Sequence, residues 1–178
     1  MKRFMLVCVA ALSIAGAAPL RASSDLSQAA RAKIEDDLYR KLTPMVGVFD
    51  YVAFKLDGDG TVTLLGQVRE ESFKQRAEAE TKKAEGVKQV RNQIEVLPPS
   101  KTDEQLRQSL YQAIYDQKAF SRYKQQPTPP IHIVVRNGSV VLEGMVANRQ
   151  EYAQVNSAVK SVSSAGSVKN NLHVDQEG

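Results

Sequence analysis

The sequence predicts an α+β fold of two tandem modules, each ordered helix, strand, strand, helix, strand, with a small three-stranded sheet carrying two helices on one face. Three observations lead there. First, Gly-(Ser/Thr)-Val-x-Leu-x-Gly-x-Val occurs twice, at Gly60 to Val68 and at Gly138 to Val146, an offset of 78. Carried forward without a gap, that offset pairs Gly60–Val96 with Gly138–Val174, and nine of the 37 positions are identical. Second, the same alternation of apolar periods surrounds both stretches, which is the mark of a duplicated unit. Third, Leu97-Pro98-Pro99-Ser100-Lys101 stands between the copies as a short, stiff connection that limits how the modules can turn.

Each element follows from its period. Ile34, Leu38 and Leu42 recur every four residues, giving an amphipathic helix capped by Asp25 or Ser27. Leu106, Leu110 and Ile114 repeat that spacing behind Thr102-Asp103-Glu104-Gln105, a capping-box pattern. Here the offset is 72, so six extra residues enter the second copy, within KAFSRYKQQPTPP. Val52, Phe54 and Leu56, and then Ile131, Ile133 and Val135, alternate as half-buried strands. Asn137-Gly138 suits a tight hairpin with positive φ, whereas Asp57-Gly58-Asp59-Gly60 is a looser turn. The following strand places Val140, Leu142, Gly144 and Val146 on one face. Glycine weakens a strand unless something approaches closely, so Gly66 and Gly144 are expected where a helix crosses the sheet.

A second amphipathic helix carries Phe73, Ala77, Thr81, Ala84 and Val87 in one copy and Tyr152, Val155, Val159 and Val162 in the other. The last strands are Val90 to Leu97 and Val168 to Val174. In them Asn92 and Asn170 stand at the rim of a buried face, where a short amide satisfies backbone groups.

Residues 1–22 read as a signal peptide: two cations, an apolar run to about Ala18, then Pro19 and small residues. Cleavage is placed after Ala22, with Ala17 and Ala18 as alternatives. A membrane anchor is the other reading, but the run falls short of the ~20 apolar residues that a span needs. Loss of Lys2, Arg3 and Arg21 takes the formal charge from +4 to +1 and removes Cys8, the one cysteine. A mature chain without cysteine fits an oxidising compartment and folds by apolar burial alone. With twelve cations and twelve anions in 27–97, and nine and seven in 101–178, neither half is a polyanion binder.

The residues give no catalytic constellation. His132 and His173 alternate with core residues and are expected to face solvent, which leaves no triad and no zinc set. Asp57 and Asp59 without a downstream glutamate fall short of a calcium loop. No cofactor, metal, nucleic acid or small-molecule substrate is expected. The binding candidate is Lys118, Phe120, Arg122, Tyr123 and Lys124, where cations alternate with rings as a lipid headgroup layer requires. The alternative is that Phe120 and Tyr123 fold back on the first helix of the second copy.

The hairpin pattern, with its Gly60, Gly66, Gly138 and Gly144, and Gly86-Val87-Lys88-Gln89-Val90-Arg91-Asn92-Gln93-Ile94-Glu95-Val96 together resemble the BON domain. The resemblance spans about 150 residues. Copy two departs from it at Ala165-Gly166-Ser167-Val168, its helix-to-strand turn. Gly86, Asn92 and Asn170 enter as structural positions of the motif. Two copies behind a leader resemble the family of the osmotically inducible periplasmic protein Y. The resemblance implies a non-catalytic periplasmic module at phospholipid surfaces, supporting envelope integrity or the response to osmotic stress. It implies residues 23–97 as one domain, 98–101 as linker and 102–178 as the second. The expected partner is an anionic phospholipid surface or an envelope protein, met by a monomer. A protein scaffold is the alternative function and a hydrolase the remote one.

Overall fold

The computed structural model describes residues 25–126, 128–162 and 165–175. The leader assigned to residues 1–22 lies outside them. In the first module, α1 (Gln28–Leu42) leads through a short 3-10 turn to the hairpin β1 (Tyr51–Leu56) and β2 (Thr61–Val68). Then come α2 (Glu71–Lys82) and a broken third strand, β3 (Gln89–Asn92) and β4 (Glu95–Val96). The second module repeats the order with α3 (Lys101–Tyr115), a short α4 (Ser121–Lys124), β5 (Ile131–Arg136), β6 (Ser139–Val146), α5 (Arg149–Lys160), β7 (Val168–Asn170) and β8 (His173–Val174). The expected α+β architecture of two tandem αββαβ modules is what forms.

In each sheet the middle strand pairs antiparallel with its hairpin partner and parallel with the broken third strand. A parallel neighbour requires a crossover, and α2 and α5 supply it. The break is stitched by the asparagines: Asn92 Oδ1 accepts from the Ile94 amide at 3.2 Å, and Asn170 Oδ1 accepts from the Leu172 amide at 2.9 Å. Asn92 Nδ2 donates to Lys74 O on α2 at 3.0 Å, and Asn170 Nδ2 to Asn156 Oδ1 on α5 at 2.9 Å.

Three of the helices, α1, α3 and α5, start where a side chain takes an orphan amide. Ser27 caps α1 and Ser100 caps α3. Asp103, placed in a capping box by the sequence, does something else. Its carboxylate accepts from the Asn137 and Gly138 amides at 2.8 and 2.9 Å, tying the start of α3 to the hairpin turn. That turn has φ of +49° at Asn137 and +75° at Gly138, the two left-handed residues of a tight hairpin.

What stands closest to Gly66 and Gly144 is strand backbone rather than a helix side chain. A Cβ on Gly66 would lie 2.0 Å from Tyr51 O, and one on Gly144 would lie 2.0 Å from Pro130 O, so the close neighbour is the backbone of the adjoining strand. Both glycines also hold left-handed φ, +128° and +113°.

The modules have separate cores that meet at one place. Ile34, Leu38, Val52, Leu64 and Phe73 belong to the first; Leu110, Ile114, Ile133, Leu142 and Val155 belong to the second. Phe49, however, belongs by sequence to the first module and by packing to the second, with its ring 6.0 Å from that of Tyr111. Beside it, the Ile133 amide donates to Val48 O at 2.7 Å, so the segment before β1 covers the outer edge of β5. Uncovered edges invite pairing with other chains, and this one is closed within the chain.

Gly66→Val and Gly144→Val are each expected to destabilise the protein by about 2–4 kcal/mol in chemical denaturation, from backbone collision and strained φ together. Gly138→Ala, whose Cβ would meet nothing within 4 Å, is expected to lose only about 1–2 kcal/mol for its left-handed φ. Similar losses at all three positions would remove the collision from the explanation.

Candidate functional site

The six-residue expansion of the second module forms a compact turn. A 3-10 turn at Lys118–Phe120 runs directly into α4. Its period sorts the five candidate residues: Phe120 and Tyr123 are 0% and 5% exposed within the core of the second module, while Lys118, Arg122 and Lys124 are exposed. The rings fold back as the alternative reading had it, and they pack side by side with centroids 6.1 Å apart. Insertion of these rings into a lipid interface would therefore require opening the core.

The turn is held by a buried carboxylate that the sequence did not single out. Glu151, in the first turn of α5, accepts from Tyr123 Oη at 2.9 Å and from the Ala147 amide at 3.0 Å, and it pairs with Arg122. Arg122 also stacks its guanidinium 4.6 Å from the Tyr123 ring centre. Its charge is stabilised first by the hydrogen bond to Tyr123 and then by Glu151, so its pKa is raised. Burial raises the Tyr123 phenol in turn. Lys124 pairs with Asp116 and lies 5.9 Å from the Tyr111 ring centre, and the Asp116 bond raises its pKa.

The second arrangement is the junction of the modules. His132, expected to face solvent, is 6% exposed, with Nδ1 3.0 Å from Gly47 O and its ring 5.9 Å from that of Tyr51. Alternation does point it away from its own core, but the other module covers that side, and Val134 on the same face is buried too. His173 is exposed, as expected. Further along, Arg69 bonds Asp50 through its backbone amide at 2.8 Å and stacks 5.2 Å from the Phe49 ring centre. Arg136 pairs with Glu95 across the junction.

A groove of 580 Å³ follows the linker, between Arg69 and Glu70 on one side and Glu104 and Arg107 on the other. Glu104 meets Arg107 at 3.2 Å and Arg69 at 3.9 Å. Arg107 donates from Nη2 to Val135 O at 2.6 Å, a structural use of a buried guanidinium. The groove is lined by no histidine, cysteine or tyrosine. Its chemistry is that of an ion-pair network.

The turn carboxylates are also structural: Asp59 accepts from the Thr61 amide at 2.9 Å, which lowers its pKa, and Asp57 pairs with Lys55 at 2.9 Å. Among the described residues no group of three or more histidine, cysteine or acidic side chains is arranged to hold a metal. No helix among them is long and apolar enough to cross a membrane.

The placement of Phe120 has a measurable consequence. Phe120→Ala is expected to destabilise the protein by about 3–5 kcal/mol in urea denaturation, the cost of emptying a buried ring site. A loss below about 1 kcal/mol would mean that the ring is outside the core in solution.

Comparison with known proteins adds the family. A model described as BON domain matches residues 49–98 and 102–176. No curated protein matches the chain. Among solved structures, one of CdsD, a structural protein of the type III secretion system of Chlamydia trachomatis, is similar at 14% identity, covering 77% of this chain and 90% of that one, with a TM-score of 0.31. The C-terminal domain of CdsD is similar at 16% identity, covering 82% and 96%, with a TM-score of 0.28. Matched in two successive segments that together span well over half of its length, the chain belongs to the BON-domain family.

Proposed function

We propose that this chain is a non-catalytic binding protein of the cell envelope, exported by its leader to the periplasm, whose second module meets anionic phospholipid headgroups through Lys118, Arg122 and Lys124. The observation that carries this reading is the turn itself. Two buried rings anchor it, and the three cations between and beside them remain on its outer side. Held in that way, the cations approach a headgroup layer without any of the core leaving the protein. The contact is electrostatic, worth about 1 kcal/mol per cation near an anionic surface, and screened by salt. The protein is a monomer in this reading, and its role is envelope integrity or the response to osmotic stress. The BON family's association with envelope and membrane binding supports it.

A protein partner is the second reading, and the polar character of the folded surface is compatible with it. Val168, at 41%, is the large hydrophobic residue that stands out as exposed among the described residues, so the folded surface offers little to an apolar interface. A polar protein surface would fit it as well as headgroups do.

The full chain separates the two. It is expected to sediment with phosphatidylglycerol vesicles, far less with phosphatidylcholine vesicles, and less as salt rises. Lys118→Gln combined with Lys124→Gln is expected to weaken that binding roughly thirtyfold, the equivalent of about 2 kcal/mol, with unchanged circular dichroism. Arg122 is kept, because Glu151 needs it. Undiminished binding by the double variant, or equal binding to both vesicles, would reject the headgroup site and leave the protein partner.

A further inference from the structure

His132 is the buried histidine, and it sits where the modules grip each other. Three features in succession on β5 and its side chains hold residues 47–51 of the first module. The His132 Nδ1 atom lies 3.0 Å from Gly47 O, the Ile133 amide donates to Val48 O at 2.7 Å, and the imidazole rests against Tyr51. A carbonyl oxygen can only accept, so Nδ1 carries the proton of the neutral ring and Nε2 is the atom left to titrate.

The groups that face this imidazole come from every packed element. From the segment before β1 comes Asp50, whose carboxylate already accepts from the Arg69 amide at 2.8 Å and lies 3.5 Å from Arg69 Nη2. From β1 comes the Tyr51 phenol, which burial raises to about 12 and so keeps neutral. From β6 comes Glu143, opposite His132 in register. Burial raises its carboxyl pKa, and Asn171 Nδ2 donates to it at 2.7 Å. Four residues along β5 and on the same face, Arg136 is paired with Glu95. Asp50 thus has a cation of its own, and a new charge on His132 would be buried with little to balance it.

We propose that His132 is an acid-sensitive latch: its neutral ring closes the junction between the two modules, and its protonation releases residues 47–50 from the edge of β5. Burial pushes the imidazole below its ordinary value, outweighing the opposing pull of the Gly47 and Asp50 backbone groups and of the Asp50 carboxylate. A base depressed in the docked state binds its proton more readily once the junction opens. Docking stability is therefore complete above about pH 6.5, the ordinary histidine value, and falls as pH drops through that value toward the depressed one. An exported chain experiences the pH of its surroundings, which is where such a latch would act.

Amide hydrogen exchange on the full chain tests this, corrected for the intrinsic pH dependence of exchange. Between about pH 7.5 and pH 5, protection of the Ile133 amide is expected to fall about tenfold or more, while the β2 and β6 amides keep theirs. In His132→Gln, whose amide can still donate to Gly47 O but does not titrate, the acid-dependent fall is expected to vanish. Constant Ile133 protection in the wild type, or the same fall in the variant, would overturn the latch. Should the variant misfold, the imidazole resonance of His132 in the wild type decides. A midpoint clearly below about 6.5 supports the latch, and a midpoint at or above that value overturns it.

Discussion

The position of Phe49 is the constraint from which the rest of the arrangement follows. Its ring leaves the module that encodes it and completes the core of the next, 8% exposed. With it there, Val48 lies along β5, Gly47 comes within reach of His132, and His132 and Val134 on the outward face of β5 are covered. Burial of one such ring stabilises by about 1.5–3 kcal/mol. For modules of this size, near the lower limit for independent folding, that is a substantial share. The two units are therefore better regarded as an interlocked pair than as beads on a linker, and any binding surface they present has a fixed geometry.

The copies keep the same backbone devices and spend their variable segments differently. Gly66 and Gly144 admit a carbonyl of the adjoining strand, and Asn92 and Asn170 stitch the broken third strand to the crossover helix. Between the first helix and first strand, by contrast, the first module uses a short segment that gives Val46 to its own core and Phe49 to its neighbour's. The second module uses a longer one, which folds Phe120 and Tyr123 inward and sets Lys118, Arg122 and Lys124 outside. Function is read most naturally from these two segments, because there the repeat is not constrained to be alike.

What the sequence disclosed and what it withheld divide along that line. Periods of 3.6 and 2 are local, so Ile34 to Leu42, the hairpins and the crossover helices were legible from spacing. The alternation through His132 does carry the ring out of its own core, although not into solvent. What no period can express is that a second module stands on the other side. Gly66 and Gly144 were legible as points of close approach but not in what approaches, because a helix and a neighbouring strand leave the same trace in one residue. The clue to Phe49 was available in TPMVGVFD, an apolar run placed where a solvent loop was due. Glu151 left a weaker one, as an acid in the first turn of a helix, which reads equally as solvated.

The interlock is tested most directly by Phe49→Ala in the full chain, with urea unfolding followed separately in the amides of the two cores. The expected result is a loss of about 3 kcal/mol registered by Ile114, Ile133 and Leu142 of the second module, with Val62 and Leu64 of the first affected much less. Unfolding that shifts mainly in the first module, or not at all, would contradict the placement of Phe49 and with it the junction built around it.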